Sequence, residues 1–309
     1  MPLSVVVPAF DAAPTLARCL SALVAALPDG GEIVVVDDGS RDATAAIAAG
    51  FPARLLRQAN RGTSAARNAG VAAARHDLIA FVDADVVVRP DALRRLVAAL
   101  GPEDLGANGI LALDLTTPGL VSAFANTSIH FQHLRHGKRV ATAFTALCVL
   151  RREALDRMGG WDERWHSRYA DDVATRWHLP AGSIRLVPEA TGEHLKPVRL
   201  AGLLKHRFNI GWFWVRSVGA HREKADRAVL DLRYPLNTIA AVGLLTPAAP
   251  VAAGIAVAAN ARFVAFTLRE RGAVEAAAAL PLSVLEGFAY AAGVISSVAR
   301  GRADARPPE

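Results

Sequence analysis

At 309 residues the chain is long enough for about two domains. Its two cysteines, Cys19 and Cys148, lie far apart in apolar settings, which excludes a disulfide framework or a cysteine-based zinc site. Apolar residues make up 52% of the chain, and the net charge of +6 is unevenly spread. Residues 199–233 carry eight Lys or Arg against three acids, while no charged residue occurs from Tyr234 to Ala261. A basic block that runs into apolar sequence fits a membrane surface and argues against nucleic acid as a partner.

Met1-Pro2-Leu3 leads straight into SVVVP, with no basic n-region and no cleavage site. This reads as the start of a strand rather than a signal peptide and places the catalytic part in the cytoplasm. Ser4 to Pro8 is the first predicted strand. The helix LARCLSALVAAL is entered through Pro14. Glu32 to Val36 is a second strand ending in Asp37-Asp38-Gly39-Ser40, with Ser40 expected to cap a helix over 41–49. A third strand is expected over 53–57, then a loop, then an Ala-rich helix over 64–74 capped by Ser64. The apolar run Leu78–Val82 is short enough to be a fully buried strand, and it ends in Asp83-Ala84-Asp85. Alternation in a strand puts both carboxylates on one face, at the strand end where open α/β sheets hold ligands. A close carboxylate pair calls for a cation, and the phosphate-linked choice is Mg²⁺ or Mn²⁺. A lone D-x-D arises about once by chance in a chain of this length, so its context decides. Strands alternating with helices at this spacing indicate βαβ units on a largely parallel sheet.

That context resembles a known family. VVVPAFDAAPTLARCL, VVVDDGSRDAT, NRGTSAARNAGVAAARHDLIAFVDADV and the later GGWDE look like the family 2 glycosyltransferases of GT-A fold. The resemblance runs from about Leu3 to His194. It implies a Rossmann-like mixed sheet flanked by helices, with the nucleotide-sugar half over 1–100 and the acceptor half over 101–198. It further implies that Pro8, Ala9, Phe10 and Asp11 line the nucleotide base, and that Asp38 or its neighbour Asp37 contacts the uracil ring. Gly62, Arg67 and Asn68 would lie over the diphosphate and sugar. Asp83 and Asp85 would serve the ribose and metal, Asp85 being the surer metal ligand, and His194 would complete the metal site as in some members. The family more often has Tyr-Asn where this chain has Phe10-Asp11.

Beyond Asp85, Pro90 and Asp91 open an expected helix to Leu100, and strands are expected over 109–115 and 143–150. His130, His133 and His136 recur at a spacing of three without a nearby carboxylate or cysteine, so they read as exposed helix or loop histidines rather than a metal site. A short helix over 152–158 stops at Gly159-Gly160. The resemblance gives Trp161 and Asp162 to the acceptor side. It makes Asp172 the catalytic base and leaves its neighbour Asp171, where the family usually has Glu, to the acceptor. Residues 187–194 are expected as a strand and turn.

The last third, 199–309, reads as a helical, membrane-associated tail. Leu204, Phe208, Trp212 and Val215 fall on one helical face, which suits a helix lying in a headgroup layer. The uncharged run from Tyr234 to Ala261 is long enough to span a bilayer, yet Pro247 and Pro250 interrupt it. This points to a kinked span or a re-entrant pair of short helices. A second apolar segment covers 273–298, and basic residues flank both segments, favouring a hairpin that returns to the cytoplasmic side.

The expected activity is therefore transfer, with inversion, of a sugar from a nucleotide-diphosphate donor, a UDP-sugar above all. The acceptor would be a hydroxyl of a lipid-linked or cell-envelope glycan at the cytoplasmic face of the membrane. The Q-x-x-R-W stretch of processive synthases is missing, which favours a single transfer. The alternatives are a polyprenyl-phosphate acceptor, which needs no base, and a non-catalytic membrane partner of GT-A shape.

Overall fold

The computed structural model describes residues 1–114, 116, 118–135, 137–140, 142–163, 171–220 and 233–300, with the backbone alone at 171–174, 220, 233 and 234. These fall into two compact units, residues 1–116 with 133–196 and residues 117–132 with 197–309.

Valine-rich runs build the sheet of the first unit. β1 (Ser4–Ala9), β2 (Glu32–Asp37), β3 (Arg54–Arg57) and β4 (Leu78–Val82) pair in parallel in the order β3-β2-β1-β4. The helices α1 (Ala13–Ala26), α2 (Thr44–Ala49) and α3 (Thr63–Ala73) connect them, so the sheet is covered and β1 and β4 are buried throughout rather than alternating. The remaining strands are β5 (Val86–Val88), β6 (Gly106–Leu111), β7 (Arg139–Val140), β8 (Leu147–Arg151) and β9 (Ile184–His194). They extend the sheet as β4-β8-β6-β9-β5, with β7 on β9. Here β8 runs antiparallel to both neighbours, so the sheet is mixed. The expected strand and turn over 187–194 is one continuous strand, and the expected strands over 109–115 and 143–150 begin three residues earlier and four residues later, respectively. α4 (Ala92–Ala99), α6 (Arg152–Met158) and α7 (Asp171–His178) complete this unit.

Two expected caps are not made. α2 starts at Thr44 because Asp42 accepts the Thr44 N–H (2.9 Å), and Ser40 instead accepts the Asp11 N–H (3.0 Å). α3 is capped at Gly62, whose φ of +92° suits glycine, and Ser64 is buried within the helix. α4 likewise begins after Asp91, leaving Pro90 outside.

α5 (Leu120–Arg135) starts in the second unit, with α8 (Leu200–Ala220), α9 (Arg233–Gly243), α10 (Ala249–Arg271) and α11 (Ala273–Ala299). Phe124, Ala125 and Phe131 of α5 pack with Leu203, Phe263 and Ala279, so a segment from the middle of the sequence is part of this core. His130 and His133 are half-buried rather than exposed. His130 stacks on Phe266, and His133, in the first unit, lies flat on Phe144 at 3.8 Å; His136 lies outside the described residues. α8 is not a surface helix. Trp212 and Phe213 are buried, and Arg207 pairs with Glu286 of α11 at 2.5 Å. Gly211 and Gly293 allow this approach, since a Cβ on either would overlap backbone carbonyls of the facing helix.

A Cβ on Gly70 would overlap Val6 Cγ1, where α3 crosses β1. Gly70→Ala is expected to cost about 1–3 kcal/mol by overpacking, read as a lower urea midpoint at unchanged slope.

Candidate active site

The turn after β4 organises the site. Asp83-Ala84-Asp85 does not continue a strand, as alternation had suggested; the Val86 N–H donates to Asp83 O (2.9 Å), closing a turn before β5. The two carboxylates therefore diverge. Arg67 Nη2 donates to Asp83 Oδ1 at 3.1 Å, while Asp85 Oδ2 lies 3.5 Å from His194 Nε2. β9 sets that second contact, because His194 pairs with Val86 and the Leu195 N–H donates to Asp85 O (2.8 Å). Burial raises the Asp83 carboxyl above its ordinary value, against the opposing charge of Arg67, and the neighbouring Asp85 charge adds to the rise.

Such a pair of strained carboxylates beside one imidazole fits a divalent cation. Among the described residues no three His, Cys, Asp or Glu side chains converge closely enough to hold an ion by themselves. A cation at Asp85 would take its other oxygens from a ligand and water, the usual arrangement for Mg²⁺ and Mn²⁺ with phosphates.

Around this turn, short polar side chains tie loops together. Asp38 is buried, and its oxygens accept from Gln58 Nε2 (2.7 Å), Arg61 N (2.9 Å) and Gly62 N (2.9 Å). Asp37, also buried, accepts from Ser40 N (2.9 Å) and pairs with Arg57 (3.3 Å). Asp11 has the left-handed φ of +46° and accepts the Arg41 N–H (2.9 Å), which joins the turn after β1 to that after β2. Pro8 is buried and Phe10 half-buried at the same end of β1.

Asn68 stands back from the strand ends. Its Oδ1 accepts the Trp161 N–H (2.8 Å), and its Nδ2 donates to Trp161 O (2.8 Å) and Glu163 Oε1 (2.9 Å). Trp161 is a core side chain rather than an exposed acceptor surface; it meets Phe81 edge-on at 5.2 Å, with Arg67 5.3 Å from its ring centroid. Asp162 is half-buried beside it. Glu163 also pairs with Arg61 at 2.7 Å, and the buried Glu193, a residue not anticipated, accepts the Thr116 N–H at 2.6 Å. Arg61 and Glu163 lie in two recognised motifs, but their pairing, across about a hundred positions, left no mark in the sequence. Asp171 and Asp172 open α7, and their side chains lie outside the described residues.

Residues 4–112, which carry most of these groups, match the profile of glycosyl transferase family 2. An uncharacterized glycosyltransferase of Mycobacterium bovis is 35% identical over 149 residues, covering 47% of this chain and 67% of that protein. The chain belongs to glycosyl transferase family 2. Its relatives include the succinoglycan biosynthesis protein ExoO of Rhizobium meliloti, 45% identical over 96 residues. That match covers 30% of this chain and only 28% of ExoO. The mannosyltransferase PcManGT from Pyrobaculum calidifontis, solved with GDP-Man and Mn²⁺, superposes with a TM-score of 0.60 at 19% identity, covering 97% of this chain and 88% of that one. Glucosyl-3-phosphoglycerate synthase from Mycobacterium tuberculosis, solved with Mn²⁺, UDP and glucosyl-3-phosphoglycerate, gives 0.54 at 18% identity over 70% and 80%. The fold of the chain is GT-A.

The clamp at Asn68 generates a prediction. Asn68→Ala removes three hydrogen bonds and is expected to cost about 1–3 kcal/mol. Amide hydrogen exchange should accelerate at Gly160–Glu163 while β1 and β2 stay protected.

Proposed function

We propose that this glycosyltransferase moves a sugar, with inversion, from a nucleotide-diphosphate donor, a UDP-sugar, to a hydroxyl of a lipid-linked or cell-envelope glycan at the cytoplasmic face of the membrane. The observation that carries the donor half is the turn at Asp83–Asp85, with Arg67 on one carboxylate and His194 on the other. Asp85 with His194 would hold the Mn²⁺ or Mg²⁺, and Asp83 would face the ribose. Pro8, Phe10, Asp11, Asp37 and Asp38 would shape the base pocket, with Gly62, Arg67 and Asn68 along the diphosphate side. A bound cation would supply positive charge for the departing diphosphate. The solved relatives' Mn²⁺, GDP-Man and UDP support this class of ligand, and ExoO supports an envelope glycan as the acceptor class.

Asp172 is the proposed base. At the start of α7 the helix macrodipole favours the ionised carboxylate, the form that accepts a proton from an attacking hydroxyl. Neighbouring positions point about 100° apart on a helix, so only one of the pair faces the reacting centre. Asp171 and Asp162 belong to the acceptor side, with the buried Trp161 supporting their loop from the core. Base and leaving group on opposite faces of the sugar give inversion.

Asp85→Asn removes one ligand and one charge. It should abolish the Mn²⁺-dependent part of UDP binding in isothermal titration and leave the melting temperature of the ligand-free protein nearly unchanged. Unaltered Mn²⁺-dependent affinity would refute the site. Asp172→Asn should bind UDP and Mn²⁺ normally yet transfer about 10² to 10⁴ times more slowly, whereas Asp171→Asn keeps most activity. The reverse result would exchange their roles, and no slowing by either would point to a phosphate acceptor, which needs no base.

A further inference from the structure

Besides its apolar core, the second unit buries several polar side chains and exposes large apolar ones. Asn237, Asn260, Thr267 and Glu286 are buried in it, while Ile239, Val242, Leu245, Val251 and Val257 are exposed, Leu245 by 78% and Val251 by 67%. A bundle that meets only water does the opposite. α11 also exposes Val274, Ile295 and Val298, but the longest uncharged stretch that carries such groups is α9, α10 and their connection. α9 and α10 lie antiparallel, since Asn260 Nδ2 donates to Asn237 Oδ1 (2.6 Å), Asn237 Nδ2 donates back to Asn260 Oδ1 (3.3 Å), and Gly243 abuts Ala252. Their connection, Leu244 to Ala248, contains no charge, and Thr246, Pro247 and Ala248 are exposed.

That connection also pairs all of its own backbone N–H groups. The N–H groups of Leu244, Leu245, Thr246 and Ala249 donate to carbonyls of Ala240, Val242, Gly243 and Thr246 at 2.9–3.1 Å. The Ala248 N–H donates to Thr246 Oγ1 (3.2 Å), and Pro247 and Pro250 have no N–H to satisfy. A loop in water has no need of this closure, whereas hydrocarbon demands it.

Length then limits the depth. The uncharged part of α10 runs from Ala249 to Ala261 and stops at the exposed Arg262, about 20 Å of helix, while the eleven residues of α9 give about 16 Å. Both fall short of the roughly 30 Å hydrocarbon core and match one leaflet of about 15 Å more closely.

We propose that the α9–α10 hairpin enters one leaflet of a lipid bilayer with Leu244–Ala248 foremost, and returns without crossing. This deepens the membrane part of the function proposed above and rests on that part alone. The arginines at Arg262, Arg269 and Arg271 stay at the headgroups, where anionic lipid favours them.

Full-length Leu245→Cys, labelled with an environment-sensitive fluorophore, tests this; the native Cys19 and Cys148 are buried. With vesicles of phosphatidylethanolamine and phosphatidylglycerol the emission should shift to the blue. Spin labels on the acyl chains should quench it, and iodide should not, whether added outside or trapped inside. Quenching by external iodide would overturn the proposal in favour of a surface contact, and quenching by trapped iodide in favour of a full crossing. A blue shift that depends on protein concentration without vesicles would overturn it in favour of a second copy of this chain. The double change Leu245→Asp with Val251→Asp should lower vesicle partitioning at least about tenfold, and undiminished partitioning would also overturn it. UDP binding with Mn²⁺ by the same variant, expected at wild-type affinity, separates failure of the insertion from failure of the donor reading.

Discussion

A guanidinium only 3% exposed must be matched by negative charge, and the end of β4 is arranged around that need. Arg67 reaches Asp83 from α3, with its guanidinium beside the Trp161 ring. The pairing turns Asp83 toward the helix and leaves Asp85 to face His194 across β5 and β9. One residue apart in the chain, the two carboxylates thus meet different partners, a guanidinium and an imidazole. Burial and the neighbouring Asp85 raise Asp83, a penalty on its ionised form that a bound cation would relieve.

What surrounds the turn is loop, and loops keep their shape only where their backbone groups are paired. Here Asp and Asn side chains do the pairing. Asp38 takes two successive N–H groups before α3, and Asn68 takes both backbone groups of Trp161. A short carboxylate or amide can imitate a neighbouring strand in this way. Phe81 under Trp161 then connects the 160–163 loop to the same strand that ends in Asp83. The proposed donor and acceptor sides consequently share one rigid support, which suits a transfer in which the reacting atoms must be held close.

The second unit follows another rule. Its helices approach closely where glycines face backbone, at Gly211 and Gly293 between α8 and α11, and at Gly287, where a Cβ would stand 2.6 Å from Asn237 O. Its buried polar groups pair with each other, Arg207 with Glu286 and Asn237 with Asn260. Close small-residue contacts and internally matched polar groups are how helices associate when the solvent outside is itself apolar.

The strands β1, β2 and β4 and the helices between them were legible in the sequence because a fully buried strand flanked by crossover helices must be an unbroken apolar run. The D-x-D was legible because carboxylates at a strand end are rare enough to notice when the neighbouring motifs stand in order. Local pattern could not say that Asp83 and Asp85 part company, since that depends on Arg67 and His194, brought in by α3 and β9. Nor could it say that Asn68 serves the 160–163 loop, or that Ser40 is not a cap, because each is claimed by a partner distant in sequence. α8 shows the limit most clearly. Its periodicity defines an apolar face, but periodicity does not say what covers that face, and the tertiary structure buries Trp212 of it where α8 approaches α11. The uncharged run from Tyr234 to Ala261 announced an apolar environment. Only the antiparallel pairing of Asn237 with Asn260 decided that the run folds back on itself, because composition does not say where a chain turns and the contact joins side chains far apart in sequence.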